Sequence, residues 1–311
     1  MQGVRARGDP GADGIQEALL LREVPEVNPV MRIVWLFFMA KKKLGLTRLG
    51  RPARPPAMPT SKQLSGLSIK TKVVGGFPLH VVKSSSPSER VVVYLHGGGY
   101  VQPIAKQHWD LIGKIARETA STVFVPRYGL ASRHNVDDAL VFLELVRNEV
   151  AGLGLPVVIA GDSAGGGLAL TIAQRSSWQQ ITKRLILIAP WVDSEWNYED
   201  FERYENRDPW LLSQSLRYIA IVWSNRGDYK RVEVSPLRGE MRGLPPTSIY
   251  VGDYDLLYQD SLALKEKLDS AGVQNTLHFE PGALHVYPLI PSPEGVRGQA
   301  SILKEISEIA G

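Results

Sequence analysis

The stretch Leu155–Leu170, LPVVIAGDSAGGGLAL, has the pattern of a buried strand, a sharp turn and a helix in direct succession. Pro156–Ala160 is apolar and rich in β-branched residues, as an interior parallel strand requires, and Gly161–Gly165 then reads G-x-S-x-G. This places Ser163 on the turn, with the N-terminal amides of the helix that begins at Ala164 facing its hydroxyl. The stretch predicts an exposed nucleophile. A glycine-rich turn with an incidental serine is the alternative interpretation.

A second glycine motif decides between these interpretations. The apolar run Val91–Leu95 is followed by His96–Tyr100, which reads HGGGY. Three glycines after a strand leave backbone N–H groups uncovered by side chains, as an oxyanion site requires. A serine elbow together with an HGGG loop is a known signature of the α/β-hydrolase fold. We therefore predict an α/β protein with a mainly parallel central sheet, helices on both faces and a helical cap.

The remaining chain alternates between strand and helix patterns, which favours right-handed crossovers in one parallel sheet. We expect residues 61–311 to form the catalytic domain, interrupted at about 191–240 by an aromatic-rich cap insertion with a helix near 211–223. The other predicted strands are 68–82 (two strands that turn at Gly75-Gly76), 122–126, 184–189, 247–251 and 276–279. The other predicted helices are 107–120, 136–150, 258–270 and 294–309.

The N-terminal residues 1–60 are expected to form a cap segment and a basic linker, with helices at 15–24 and 30–40. The second helix is strongly apolar but too short for a hydrocarbon layer that needs about 20 residues. It is either a cap helix over an acyl pocket or an anchor at a membrane surface, with 30–54 as the contacting segment. The second interpretation depends on six cations after the apolar run: Lys41, Lys42, Lys43, Arg48, Arg51 and Arg54.

Composition limits the function in three ways. The 311 residues contain no cysteine, which excludes a thiolate nucleophile, disulfides and cysteine-based metal sites. The net charge of +4 is concentrated in the first 60 residues, which hold ten Lys and Arg against five Asp and Glu, so nucleic-acid binding gains little support. We expect no cofactor and no metal, and a cytoplasmic location apart from any membrane-surface contact. The sequence does not indicate an oligomeric state, and a homodimer is only the statistical default.

A serine hydroxyl needs a base to take its proton and a third group to orient that base. Among the six histidines, His285 follows the last predicted strand, on the side of the sheet where the serine emerges, and is the predicted base. His96 is expected to brace backbone instead. The acid should follow the penultimate strand, where Asp255 is preferred over Asp253, with Asp260 beyond them.

At these residues the chain resembles the hormone-sensitive-lipase-like esterases of the α/β-hydrolase superfamily. The resemblance covers about residues 91–288 and rests on HGGGY (96–100), GDSAGG (161–166), the Asp255 loop and HVYPL (285–289), the last typical of the acetyl-hydrolase and steryl acetyl hydrolase branch. It implies the catalytic triad Ser163, Asp255 and His285. It also implies an oxyanion hole made by the amides of Gly98, Gly99 and Ala164, with Gly97 as a substitute for one of them.

One segment departs from the family pattern. Residues 127–132 read RYGLAS, without the acid and the proline-containing continuation that follow YRLAP in relatives. The resemblance implies a serine carboxylesterase that hydrolyses short-acyl, acetyl-like esters through an acyl-serine intermediate. An acyltransferase or amidase with the same triad, and a small-molecule binding protein on a hydrolase scaffold, are the alternatives.

Overall fold

The computed structural model of the protein describes residues 28–43, 55–131, 133–198 and 201–309. The helix predicted at 15–24 and the linker cations Arg48, Arg51 and Arg54 lie outside these residues, as does Ser132.

One eight-stranded sheet forms the centre of the molecule, in the order β1-β2-β4-β3-β5-β6-β7-β8. The pairs β1–β2 and β2–β4 are antiparallel and all other neighbours are parallel, so the predicted mainly parallel sheet is confirmed. The strands are β1 (Leu67–Val74), β2 (Phe77–Ser84), β3 (Arg90–Leu95), β4 (Ser121–Pro126), β5 (Val157–Asp162), β6 (Thr182–Ile188), β7 (Thr247–Tyr254) and β8 (Asn275–Leu284).

Helices cover both faces of this sheet, because alternate residues of the buried strands point to opposite sides. In β3, Val91 and Val93 join one apolar cluster, whereas Val92 and Tyr94 join the other. The first cluster includes residues of α3, α4 and α8, and the second includes residues of α1, α2 and α9. The helices are α1 (Pro29–Lys43), α2 (Lys106–Glu118), α3 (Val136–Ala151), α4 (Ala164–Ala173), α5 (Ser176–Gln179), α6 (Phe201–Arg207), α7 (Ser213–Trp223), α8 (Tyr258–Ser270) and α9 (Pro293–Ser307).

The two strands that lead to the predicted acid and base extend further than the sequence predicts. We expected them to end at 251 and 279, but β7 continues to Tyr254 and β8 to Leu284. A register shift between Gly252 and Tyr254 absorbs the irregularity and allows Tyr254 to pair with Leu284. Asp255 and His285 therefore each follow directly on the end of a strand, at the same edge of the sheet.

The N-terminal helix α1 packs against both the sheet domain and the insertion. Met31 and Trp35 are buried in the second apolar cluster. The Trp35 indole Nε1 donates to the carbonyl of Arg207 at 3.1 Å, and Lys42 Nζ donates to that of Glu205 at 2.6 Å. Its opposite face leaves apolar side chains exposed, among them Ile33 and Phe37. None of the helices in the described part of the chain combines the length and the apolar character that a membrane span needs.

Candidate active site

Ser163 lies at the reversal of β5 into α4, in a backbone conformation with φ 51° and ψ −121° that non-glycine residues rarely adopt. Three backbone hydrogen bonds hold it there. Its N–H donates to the carbonyl of Ile188 at 2.8 Å, and its own carbonyl accepts from the amides of Gly167 and Trp191, both at 3.0 Å. The neighbouring strand and the first turn of the helix thus sustain a strained conformation that aims the side chain outward.

Gly165 permits the first turn of α4 to lie directly on the end of β3. A Cβ at this position would overlap the carbonyls of Leu95 and His96. The two glycine motifs are therefore packed backbone to backbone, which fixes the serine relative to the HGGG loop.

The structure brings the three residues of the predicted triad together. His285 Nε2 lies 3.0 Å from Ser163 Oγ, and His285 Nδ1 lies 2.9 Å from Asp255 Oδ2. Asp255 is fully buried, and its Oδ1 also accepts the amide of Leu257 at 2.8 Å. Since the carboxylate can only accept, Nδ1 carries a proton and Nε2 is free to accept the proton of the serine hydroxyl. Asp253, the rejected alternative, instead accepts the amide of Gly282 at 2.6 Å.

Burial disfavours the imidazolium form of His285, but the carboxylate of Asp255, and after it those of Asp208 and Asp162, outweigh burial and raise the pKa of His285 above its ordinary value. His285 can therefore hold a proton in a site from which water is largely excluded. This is the property that a base requires if it must later return the proton as an acid.

The HGGG loop places glycine amides beside Ser163. Gly98 and Gly99 have φ values of 118° and 58°, a region that favours glycine. Within the described part of the chain, no protein group accepts a hydrogen bond from the amides of Gly98, Gly99 or Ala164. Gly97 packs against the Asp162 carboxylate, where an added Cβ would overlap Oδ2, and its amide helps to hold the pKa of Asp162 below its ordinary value. The amides of Gly98, Gly99 and Ala164 are thus open to a ligand, and Gly97 stays the alternative to one of them.

Asp162, for which the sequence predicts no role, lies against Gly97 of this loop. Its buried carboxylate accepts the Tyr94 hydroxyl at 2.7 Å and lies 3.2 Å from His108 Nε2. His108 Nδ1 accepts the amide of Ala105 at 2.8 Å, so Nε2 carries the proton that is donated to Asp162. Burial would raise the pKa of Asp162, but His108, Tyr94 and the Gly97 amide hold it below its ordinary value. The carboxylate stays charged, and Gly97 of the loop packs directly against it.

The unusual segment 127–132 still supports the HGGG loop. The Tyr128 hydroxyl donates to the carbonyl of His96 at 2.5 Å, and the amide of Ala131 donates to that of Tyr100 at 2.8 Å. The His96 ring stacks on Tyr128 and its Nδ1 contacts the Gly97 carbonyl at 2.7 Å. Burial, followed by the nearby His108, lowers the pKa of His96 to about 4, which keeps it a neutral brace.

The insertion covers the site. The Trp210 indole and the His285 ring are perpendicular at a centroid distance of 5.8 Å, and Phe38 of α1 stacks on Trp210 at 4.6 Å. Ile219 of α7 lies beside the HGGG loop, because a side chain added at Gly99 would come into van der Waals contact with its Cδ1. Ser163 and His285 are consequently only 8% and 4% exposed. Among the described residues, no cluster of three or more His, Asp or Glu could hold a metal ion.

Comparison with known proteins agrees with this architecture. A family model described as the alpha/beta hydrolase fold matches residues 92–289, more than half of the chain. A triacylglycerol lipase of Mycobacterium tuberculosis is 28% identical over 81% of this chain, although the match spans only 54% of the lipase. An acetyl-hydrolase of Streptomyces hygroscopicus is 27% identical over 70% of this chain and 76% of its own length.

The solved structure of an esterase from the bacterial hormone-sensitive lipase family superimposes with a TM-score of 0.73. It covers 98% of this chain and 100% of its own, at 22% identity, and this likeness supports the fold.

The geometry of His285 generates a prediction for the reactivity of Ser163. The rate at which a fluorophosphonate probe labels Ser163 should fall as the pH is lowered through the raised pKa of His285, because the protonated imidazole can no longer accept the serine proton. The measurement is the labelling rate against pH, with His285→Gln as the control that should label slowly at every pH. A labelling rate that stays constant through the acidic range would contradict the role of His285.

Proposed function

Because the chain belongs to the α/β-hydrolase family, as a carboxylic-ester hydrolase that resembles the hormone-sensitive-lipase-like esterases, we propose that it hydrolyses short-acyl esters through an acyl-serine intermediate. The observation that carries this proposal is the position of the His285 ring, which contacts Ser163 Oγ with one nitrogen and Asp255 with the other. A serine with a base and an orienting acid in this arrangement is suited to acyl transfer.

In the first half of the reaction, Ser163 Oγ attacks the ester carbonyl carbon while its proton passes to His285 Nε2. The carbonyl oxygen becomes an oxyanion that accepts hydrogen bonds from the amides of Gly98, Gly99 and Ala164. The buried carboxylate of Asp255 stabilises the imidazolium formed in this step. Collapse of the intermediate releases the alcohol, which takes the proton from His285, and leaves the acyl group on Ser163.

In the second half, His285 removes a proton from water, which attacks the acyl-serine carbonyl. Collapse of this second intermediate breaks the bond to Ser163 Oγ, and His285 returns the proton to the serine. The carboxylic acid leaves, and no cofactor takes part in either half. Transfer of the acyl group to an alcohol or an amine, instead of water, stays a prediction. So does contact of segment 30–54 with a membrane surface.

Two side chains of the cap support the choice of a short acyl group. Ile219 lies beside the HGGG loop and Trp210 lies beside His285, which leaves the two reacting side chains nearly covered. A long acyl chain would have to displace one of these groups. The acetyl-hydrolase among the relatives is consistent with this size limit.

Replacement of the nucleophile tests the reaction. Ser163→Ala should reduce hydrolysis of p-nitrophenyl acetate and butyrate by about 10⁶-fold, because no other group can form the acyl-enzyme. Ser194→Ala is the matched control, since it removes another buried hydroxyl, one that makes no hydrogen bond to the described residues. Turnover by Ser163→Ala at the wild-type rate would overturn the proposal, and product analysis with a competing alcohol would reveal acyl transfer.

The size limit generates a separate prediction. Ile219→Ala should raise kcat/KM for p-nitrophenyl hexanoate relative to the acetate by about tenfold or more, since a pocket change of this kind is worth about 1–3 kcal/mol. Ile221→Ala removes the same atoms from a half-exposed position of the same helix and should leave the ratio unchanged. Equal ratios in the wild type and both variants would show that Ile219 does not limit the acyl chain.

A further inference from the structure

A second buried carboxylate lies beside the triad, and the mechanism above gives it no part. Asp208 belongs to the insertion, at the end of α6, and is fully buried. A buried carboxylate is costly unless its oxygens are satisfied by hydrogen bonds, so the partners of Asp208 indicate what the residue does.

Both oxygens of the Asp208 side chain accept backbone amides. Oδ1 accepts those of Trp210 at 2.6 Å and Leu211 at 2.8 Å, which shapes the loop within the insertion. Oδ2 reaches a different part of the chain and accepts the amide of Leu256 at 2.8 Å. Leu256 directly follows Asp255, so a side chain of the cap holds the loop that carries the acid of the triad.

Two adjacent amides of this loop are thereby held by two different carboxylates. Asp255 accepts the amide of Leu257 and Asp208 accepts the amide of Leu256. The Asp255 side chain has one oxygen left for His285. Loss of the Asp208 contact would leave a buried amide without its acceptor and would free the loop to move away from His285.

The same segment connects the N-terminal helix to the site. Lys42 Nζ of α1 donates to the main-chain carbonyl of Asp208 at 2.7 Å. Two residues further on, the Trp210 ring lies perpendicular to the His285 ring. Asp208 therefore lies where α1, the insertion and the loop of Asp255 meet.

The charge of Asp208 also acts on the imidazole. The groups that face His285 are Ser163 and the carboxylates of Asp255, Asp208 and Asp162, all three of which favour its protonated form. Burial, and then the charge of Asp255, raise the pKa of Asp208. His285 and the backbone amides of Leu256 and Leu211 act to lower it. Two cations also lie around the segment. Lys42 donates to the main-chain carbonyls of Glu205 and Asp208; burial lowers the pKa of Lys42, and the charges of Asp208 and Glu205 act to raise it. Arg207 lies 4.0 Å from Asp253.

We infer that Asp208 is a positioning residue of this active site, which fixes the loop of Asp255 and supplies a second negative charge beside His285. The inference rests on the proposed function, because it assigns Asp208 a task in the same proton transfer. It also means that the cap holds the catalytic acid in place in addition to covering the substrate.

The test is the pH profile of Asp208→Asn in the full-length chain, with p-nitrophenyl acetate as substrate. The amide keeps the size of the side chain but loses the charge and one acceptor. We expect kcat to fall about ten- to a hundredfold with KM little changed, since small displacements of catalytic groups have effects of this size. We also expect the acidic limb of kcat/KM to move to lower pH, because one of the charges that favour protonated His285 is gone.

Asp260→Asn is the matched control. Asp260 is also fully buried, and it accepts the amides of Val192 and Asp193 at the start of the insertion, but it is not among the carboxylates that act on His285. Its replacement should lower the thermal unfolding temperature without moving the acidic limb. If Asp208→Asn does not fold, Asp208→Ser carries the same test, since its hydroxyl can still accept a loop amide without a charge.

An NMR titration of the His285 ring separates the outcomes. If the wild type hydrolyses the ester but Asp208→Asn does not change the pKa of the His285 ring, the inference is overturned and the proposed function stands. A shift of the acidic limb in Asp260→Asn equal to that in Asp208→Asn would also overturn it, because the effect would then be one of general destabilisation. If the wild type does not hydrolyse the ester but Asp208→Asn still lowers the pKa of the His285 ring, the proposed function is refuted. The effect of the Asp208 charge on His285 is then still supported.

Discussion

The backbone at Ser163 is the constraint on which the rest of the structure depends. A non-glycine residue at φ 51° costs about 1–3 kcal/mol and persists only where its surroundings fix it. Here the surroundings are the parallel neighbour β6 and the first turn of α4, which bind both the amide and the carbonyl of the serine. The HGGG loop, packed against Gly165, has its position set by the same turn. The nucleophile and its neighbouring amides are consequently parts of one rigid unit.

Parallel strands carry the other two triad residues to this unit. The carboxyl ends of β5, β7 and β8 lie at one edge of the sheet, and each is followed at once by a functional side chain. Two buried carboxylates outside the triad then support the loops of the active site. Asp162 packs against Gly97 of the glycine loop, and Asp208 of the insertion binds the amide of Leu256 in the loop of Asp255. The buried charges of the site are thus satisfied by amides, a hydroxyl and imidazoles, as burial demands.

Sequence predicted the parts of this arrangement that obey local rules. The elbow and the HGGG loop are specified by glycines within a few residues of a strand, and the parallel sheet follows from the alternation of strand and helix. The ends of β7 and β8 could not be predicted, because Pro281 and Gly282 normally terminate a strand and only pairing between the two strands explains their extension. Asp162 had a weak signal, since a carboxylate directly after a buried strand needs partners. Its partners Tyr94 and His108, and the contact of Asp208 with Leu256, join residues remote in sequence and follow only from tertiary packing.

The central claim is that Ser163 and His285 act as one unit in the transfer of a proton. The most direct measurement is kcat/KM of the double variant Ser163→Ala/His285→Ala compared with each single variant on the same ester. Residues that work in one step are strongly non-additive, so the double variant should be about as slow as Ser163→Ala alone. If the fold-losses in kcat/KM of the two single variants multiply in the double variant, the serine and the histidine contribute independently. That result would contradict the account.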